Sequence, residues 1–416
     1  MYYVSRIFAW FAVAALIAAA LFSIHLARAD AEFRRGDPAS VARAISIEPR
    51  NSEYLALRAL QLDYDGADST PLLEHAVALN PVSSSPRLRL GLAAEIRGDY
   101  PSAERWLLDA ARVDHQFEPR WTLANFYFRR ANAQLFDPRF RTPFWMWTRA
   151  ALEVSYGDRR PAFDLCWRMA GDTGSVEILE RAIPNQRDVL DAYLAFLLES
   201  HRDAIAPVAM KLAQFNDPAD GPILLAASDA LIDSGHGVSD VPNASGTRDA
   251  VATSHEPSVA MELWTALGLA RPSGVFNGDF SSVPLNHGFD WRQIESPGVT
   301  HASIDQPRSA HRISLDGRQP ESCALLIQIL NLDPNTRYTL RWEARTSGIK
   351  SPTGIEWRIG DRRAAIEPSE SASTGSTDFA VTAELTPLTL FYQRPSGEAR
   401  AEGSVDLTRV WIEPAH

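Results

Sequence analysis

The feature that most constrains this chain is a change of hydrophobic period near residue 272. Before it, stretches such as "VLDAYLAFLLES" (189–200) carry apolar residues three and four apart, the spacing that gathers them on one face of a helix. Beyond it the period falls to two. In "RYTLRWEAR" the residues Tyr338, Leu340, Trp342 and Ala344 share one side, and Thr339, Arg341, Glu343 and Arg345 the other. "IEWRIG" repeats the theme, with Ile355, Trp357 and Ile359 set against Glu356 and Arg358. The chain therefore reads as a helical part followed by an all-β part, and 416 residues suffice for two or three separate cores.

The charge balance narrows the partners. A formal net charge of -11 without a long basic run argues against nucleic acid, because phosphate binding needs clustered Lys and Arg. With only Cys166 and Cys323, far apart, neither a disulfide framework nor a cysteine-rich zinc site is available. The head of the chain is more specific. From Ile7 to Ile24 there is no charge, and at helical rise this run nearly matches a hydrocarbon core of about 30 Å. It enters a membrane either as an anchor or as a signal peptide, since Ala27-Arg28-Ala29 has the small-residue pattern of a cleavage site. Flanking arginines on both sides leave orientation open, and export of the body is the favoured expectation. Residues 1–29 form the anchor or signal, 30–272 the helical domain and 273–416 the β domain, with a mobile polar insertion expected at about 235–257.

The helical domain aligns with itself. In "SPRLRLGLAAEIRGDYPSAERWLLDAARVDH", which carries Leu90-Gly91, Gly98, Tyr100, Ala103, Leu107 and Ala110, Gly91 and Ala103 let two antiparallel helices approach, Gly98 allows the turn, and Tyr100 and Leu107 fill the gap between the helices. This stretch resembles a tetratricopeptide repeat. Some 34 residues on, "WTLANFYFRRANAQ" reads as the first helix of another repeat, followed by an insertion around Asp137–Thr142 before "PFWMWTRAALEVS". Ser52 to Pro81 reads as a shortened repeat and "PASVARAISIEP" as a partial one. From 160 to 271 the consensus fades, yet four apolar-periodic segments imply two further hairpins. The resemblance implies an extended concave face for a protein or peptide partner. Trp121, Phe128, Trp145 and Trp147 are the groove candidates, against the plainer reading that such aromatics are core between helices.

In the β part, "NGDF" at 277–280, "GFDWR", "LIQILNLDPNTRYTLRWEARTS" and the closing "GSVDLTRVWIEP" resemble the opening strand, central hairpin and last strand of jelly-roll carbohydrate-binding modules of the family 4/9 type. The strands "HRISL", "ALLIQILNL", "FAVTAEL" and "LTLFYQR" complete an antiparallel sandwich. The resemblance implies a glycan ligand. Sugar recognition needs aromatic faces and planar polar groups, for which Trp291, Tyr392, Gln328, Arg341, Glu343, Arg345, Glu356 and Arg358 are the candidates. The charged members could equally be cross-strand ion pairs, and Trp342 and Trp357 are assigned to the core. Asp279 and Asp406 are the positions for a structural calcium of the kind such modules hold, and no other cofactor is implied.

No HExxH, GxSxG, GxxxxGK[ST] or strand-linked GxGxxG occurs. Glu343 and Glu356 are the one carboxylate pair weighed for a glycosidase, and neighbouring arginines would keep both ionised. The sequence thus points to a non-catalytic envelope scaffold, with repeats for a protein partner and a sandwich for a glycan in surface-polysaccharide assembly. A purely protein-binding adaptor is the alternative, and a glycan-active hydrolase a second.

Overall fold

The computed structural model describes residues 2–133, 137–171, 174–236, 256–270, 274–305 and 308–415. The expected mobile insertion, apart from its ends, and the boundary at 272 lie outside these residues. The chain forms two compact units, Met1–Val189 and Leu190–His416.

The first unit is a succession of helical hairpins. Its helices are α1 (Tyr2–Phe33), α2 (Pro38–Ile47), α3 (Ser52–Tyr64), α4 (Thr70–Leu79), α5 (Ser85–Ile96), α6 (Tyr100–Val113), α7 (Phe117–Ala133), α8 (Pro138–Leu152), α9 (Arg160–Ala170) and α10 (Ser175–Glu177), which runs into a π-turn at Ile178–Ala182. Helix starts are written in the sequence. Asp37, Asn51, Asp99 and Asp137 each accept a backbone N–H of the following first turn, and Pro38, Pro101 and Pro138 occupy positions where no N–H is needed. Gly91 behaves as its repeat position requires: a Cβ there would stand 2.7 Å from Leu107, so α5 and α6 close only because the side chain is absent. Successive first helices are laced by arginines. Arg89 reaches Ala56 O and Asp63, and Arg129 makes two 2.7 Å bonds to Glu95, 34 residues earlier. One expectation fails. Asp137–Thr142 is the capped first turn of α8 rather than an insertion loop, because Asp137 and Pro138 together make a strong helix start.

The second unit joins α11 (Arg187–Ser200, from Leu190 on), α12 (Ile205–Ala213), α13 (Gly221–His236) and α14 (Glu256–Ala266) to the sandwich. The strands are β1 (Arg292–Gln293), β2 (Val299–Ile304), β3 (Ala310–Asp316), β4 (Ser322–Asn331), β5 (Arg337–Ser347), β6 (Ile355–Ile359), β7 (Arg362–Ala365), β8 (Ser373–Ala380), β9 (Leu385–Gln393) and β10 (Glu402–Pro414). Two antiparallel five-stranded sheets result, ordered β1-β4-β9-β6-β7 and β2-β3-β10-β5-β8. Their inner faces enclose Trp291, Trp342, Trp357, Leu325, Leu340, Leu390 and Val405, all buried, with Trp357 between Trp291 and Trp342. This is a jelly-roll sandwich preceded by helical hairpins. The opening segment differs from expectation: Asn277–Phe280 is irregular and the first strand begins at Arg292. "FAVTAEL" likewise closes β8 with Phe379 and Ala380 and then turns, so that Leu385 opens β9.

Helices and sandwich are welded within this unit. Trp264 of α14 is fully buried and meets Phe276 and Phe289 edge-on at 5.2 and 5.7 Å. Gly288, at φ 59°, lies so close that a Cβ would stand 2.3 Å from the Trp264 ring. Beside it Asp229 of α13 accepts from Gly288 N at 2.6 Å and from Arg292 at 2.8 Å, with His287 Nδ1 at 2.5 Å.

Candidate functional site

The outward face of the β2-β3-β10-β5-β8 sheet carries a connected row of polar and aromatic groups. Register places Arg312 of β3, Asp406 of β10 and Arg345 of β5 side by side across three strands. Both guanidiniums bond the Asp406 carboxylate, Arg312 at 2.6 and 2.9 Å and Arg345 at 2.7 Å. Burial pushes the Asp406 pKa up, but the two arginines outweigh it and hold the group below the ordinary carboxylate value. A cleft of about 490 Å³ opens there, lined by Ile304, Arg308, Arg345, Glu370, Asp406 and Thr408.

A bulge in β10 between Leu407 and Arg409 then reverses which residues face out. Past it, Arg409 lies opposite Glu343 and Trp411 opposite Arg341. Trp411 is half-buried; its indole N–H donates to Glu413 at 2.8 Å and the Arg409 guanidinium sits 4.7 Å from its ring. Glu413 also accepts from Arg341 at 3.3 Å, and its pKa is lowered by the Trp411 hydrogen bond and then the arginines. On the neighbouring strand β8, Thr374, Ser376 and Asp378 continue the polar row, with Thr339 donating to Asp378 at 2.6 Å. An aromatic face flanked by guanidiniums, carboxylates and hydroxyls is a surface on which a pyranose can stack and be hydrogen-bonded.

Sequence candidates divide accordingly. Arg341, Glu343 and Arg345 lie on this face. Glu356 and Arg358 belong to β6, on the outward side of the other sheet, where Arg358 bonds Glu356 at 2.7 Å and covers the Phe391 ring at 3.3 Å. The five charged residues therefore form no single stripe, and Glu343 and Glu356 stand on opposite sheets rather than flanking one bond. Trp291 and Tyr392 are corrected outright: both are fully buried. Trp291 donates to Asn277 O and Tyr392 OH accepts from Ala401 N, so these rings build the core instead of presenting a face. Gln328 is also fully buried, clamping Phe276 through both its N–H and its C=O.

The calcium positions do not converge. Asp406 is spent on two arginines, while Asp279 accepts from Ser281 N and lines a different cleft. Among the described residues no group of three His, Cys, Asp or Glu side chains is arranged to hold a metal ion. In the repeats, Trp145 is buried with its N–H on Glu177 at 2.9 Å, and Phe128 is buried under Arg168. These two serve the core. Trp121 and Trp147 are half-buried, Trp121 stacking on Phe117 at 5.9 Å.

Trp411 escapes the sequence pattern for a physical reason. Strict alternation from Val405 and Leu407 carries residues 409 and 411 inward, and only the extra residue of the bulge turns Trp411 out.

No family model matches this chain, and no curated protein matches it. Among solved structures it is similar to "CBM4 structure and function", at 14% identity and a TM-score of 0.27, covering 34% of this chain and 99% of that one. A xylan-binding CBM22-1 domain from Paenibacillus barcinonensis Xyn10C matches at 10% identity and a TM-score of 0.22, covering 30% of this chain and 85% of that domain. YrrB, "a TPR protein with an unusual peptide-binding site", matches at 11% identity and a TM-score of 0.24, covering 56% of this chain and 98% of that one.

Proposed function

We propose that this chain is a non-catalytic scaffold of the bacterial envelope, whose sandwich binds a glycan across the outward face of β3, β10, β5 and β8 and whose helical hairpins bind a protein partner. The observation that carries the reading is Trp411, turned outward by the β10 bulge between Arg341 and Arg409. A saccharide laid along this face stacks on Trp411 and exchanges hydrogen bonds with Glu343, Arg341 and the β8 hydroxyls. The exposed apolar helix at the N-terminus suits tethering, and assembly of a surface polysaccharide is the process in which such a pairing has a use.

The test is affinity electrophoresis of the detergent-solubilised full chain against a panel of bacterial polysaccharides. Retardation by at least one polymer is expected, with affinity reduced about tenfold or more in Trp411→Ala. Absence of retardation, or retardation unchanged in Trp411→Ala, refutes the assignment. In that event the protein-binding adaptor takes precedence, favoured by the Arg312–Asp406–Arg345 row, whose mutually satisfied charges suit a flat protein contact.

A further inference from the structure

We infer that the N-terminal helix is retained as a membrane anchor, and that it holds the first helical hairpin directly against the bilayer surface. This does not depend on what the sandwich binds. α1 is one unbroken helix from Tyr2 to Phe33, and two different environments divide it. From Trp10 to Ile24 its large apolar side chains stand exposed all round: Trp10, Phe11, Leu16, Ile17, Leu21, Phe22 and Ile24. A helix apolar on every side with nothing packed on it fits hydrocarbon rather than water. Roughly 35 Å of helix precede His25, which matches the thickness of a bilayer core.

From His25 onward the same helix is part of the repeat fold. His25 Nε2 lies 2.9 Å from Ile47 O, so the end of α2 sits level with the last residues of the apolar segment. Ala29 is fully buried against Ala44 and Tyr54, Phe33 stacks on Tyr54 at 4.6 Å, and Glu32 bonds both Arg35 and Arg43. The cleavage-like Ala27-Arg28-Ala29 is thus the middle of a packed helix. A peptidase acting after Ala29 would have to unwind it, and the product would lose one wall of the small core that covers Ala44 and Tyr54. The level of His25 also fixes the membrane surface. The loop Glu48–Asn51 faces the headgroups there, with exposed Arg28 and Arg50 placed to meet their phosphates.

The full chain with a C-terminal tag, expressed in a bacterial host, tests this by intact mass and by alkaline carbonate extraction. The expected result is a mass that includes residues 2–29, with all of the protein in the membrane pellet. A mass beginning at Asp30, or release by carbonate, overturns the proposal. Ala29→Leu tests the packing separately: in detergent it should lower the unfolding midpoint by roughly 5 °C. An unchanged midpoint overturns the claim that the anchor is built into the first hairpin.

Discussion

The weld between α14 and the sandwich makes a quantitative prediction. Trp264 is fully buried and touches the sandwich through Phe276, Phe289 and Gly288, so Trp264→Ala removes a large side chain from a site whose walls belong to two kinds of structure. Truncating a buried tryptophan costs about 3 to 5 kcal/mol, combining lost transfer energy with the cavity left behind. Collapse is limited here, because Gly288 is pinned by its N–H on Asp229 and cannot follow the vanished ring. The loss should therefore fall in the upper half of that range. Urea unfolding of the detergent-solubilised full chain measures it, and hydrogen exchange locates it. Amides of 274–291, in the sandwich, should lose protection together with those of α13 and α14. A loss under about 1 kcal/mol, or faster exchange confined to the helices, would refute the idea that these helices and the sandwich fold as one unit. The same reasoning predicts that a fragment starting at Gly274, which leaves Phe276 and Phe289 without Trp264, aggregates or melts well below the intact protein.

Gly91→Ala should destabilise the first unit by about 2 kcal/mol by forcing Leu107 away from α5, read as a lower unfolding midpoint; a neutral result would mean the hairpin has slack. Asp406→Asn should cost about 2 kcal/mol, since it weakens charge-assisted bonds from Arg312 and Arg345, and the salt sensitivity of stability should fall with it. The sandwich should also weaken in mild acid. His311 is buried on Phe280 and 3.1 Å from His301; burial first, and then the charge of His301, depress its pKa to about 4. A depressed histidine pKa means the unfolded chain takes up the proton first, so stability is intact above about pH 6.5 and declines below it, by about 2 kcal/mol at pH 5. His311→Gln should flatten that part of the profile, and a slope unchanged by the substitution would contradict the assignment.

What could be read in the sequence follows from how local the cause is. The period switch, the aspartate caps and Gly91 are local or repeat every 34 residues, so they announce both architectures and even one close helix contact. Trp342 and Trp357 were assigned to the core because unbroken alternation in β5 and β6 determines their side, and both are buried. Legibility ends where period ends. Trp291 lies at the close of the irregular run 274–291, which has no phase from which to infer a side, and its burial follows from Phe280 and Trp357 closing over it. The strands β2, β7 and β8 carry no clear signal because "VTHASI", "RRAA" and "STGSTDFA" have little apolar contrast; β8 is held by pairing with β5, where Gly375 leaves room for the Trp342 ring. Asp229 and His287, 58 residues apart, carry no joint pattern at all.

The two failures that bear on function share one cause. Trp291 and Trp411 both escape alternation, the first because its segment is not a strand and has no phase, the second because its strand contains one residue too many. A bulge costs pairing energy within a central strand, and β10 is central, flanked by β3 and β5. Without it the β10 residues beyond Leu407 would keep the phase of Val405 and Leu407, placing Arg409 and Trp411 in the core and Val410 and Ile412 in solvent. The irregularity thus turns an indole and a guanidinium outward beside Arg341 and Glu343, while Val410 keeps its place in the core. Deleting Thr408 removes the extra residue yet leaves Leu407 against Ala344, Arg409 against Glu343 and Trp411 against Arg341, so the indole stays outward: polysaccharide retardation should survive the deletion, and its loss in a chain that still folds would contradict the assignment of Trp411 as the stacking face.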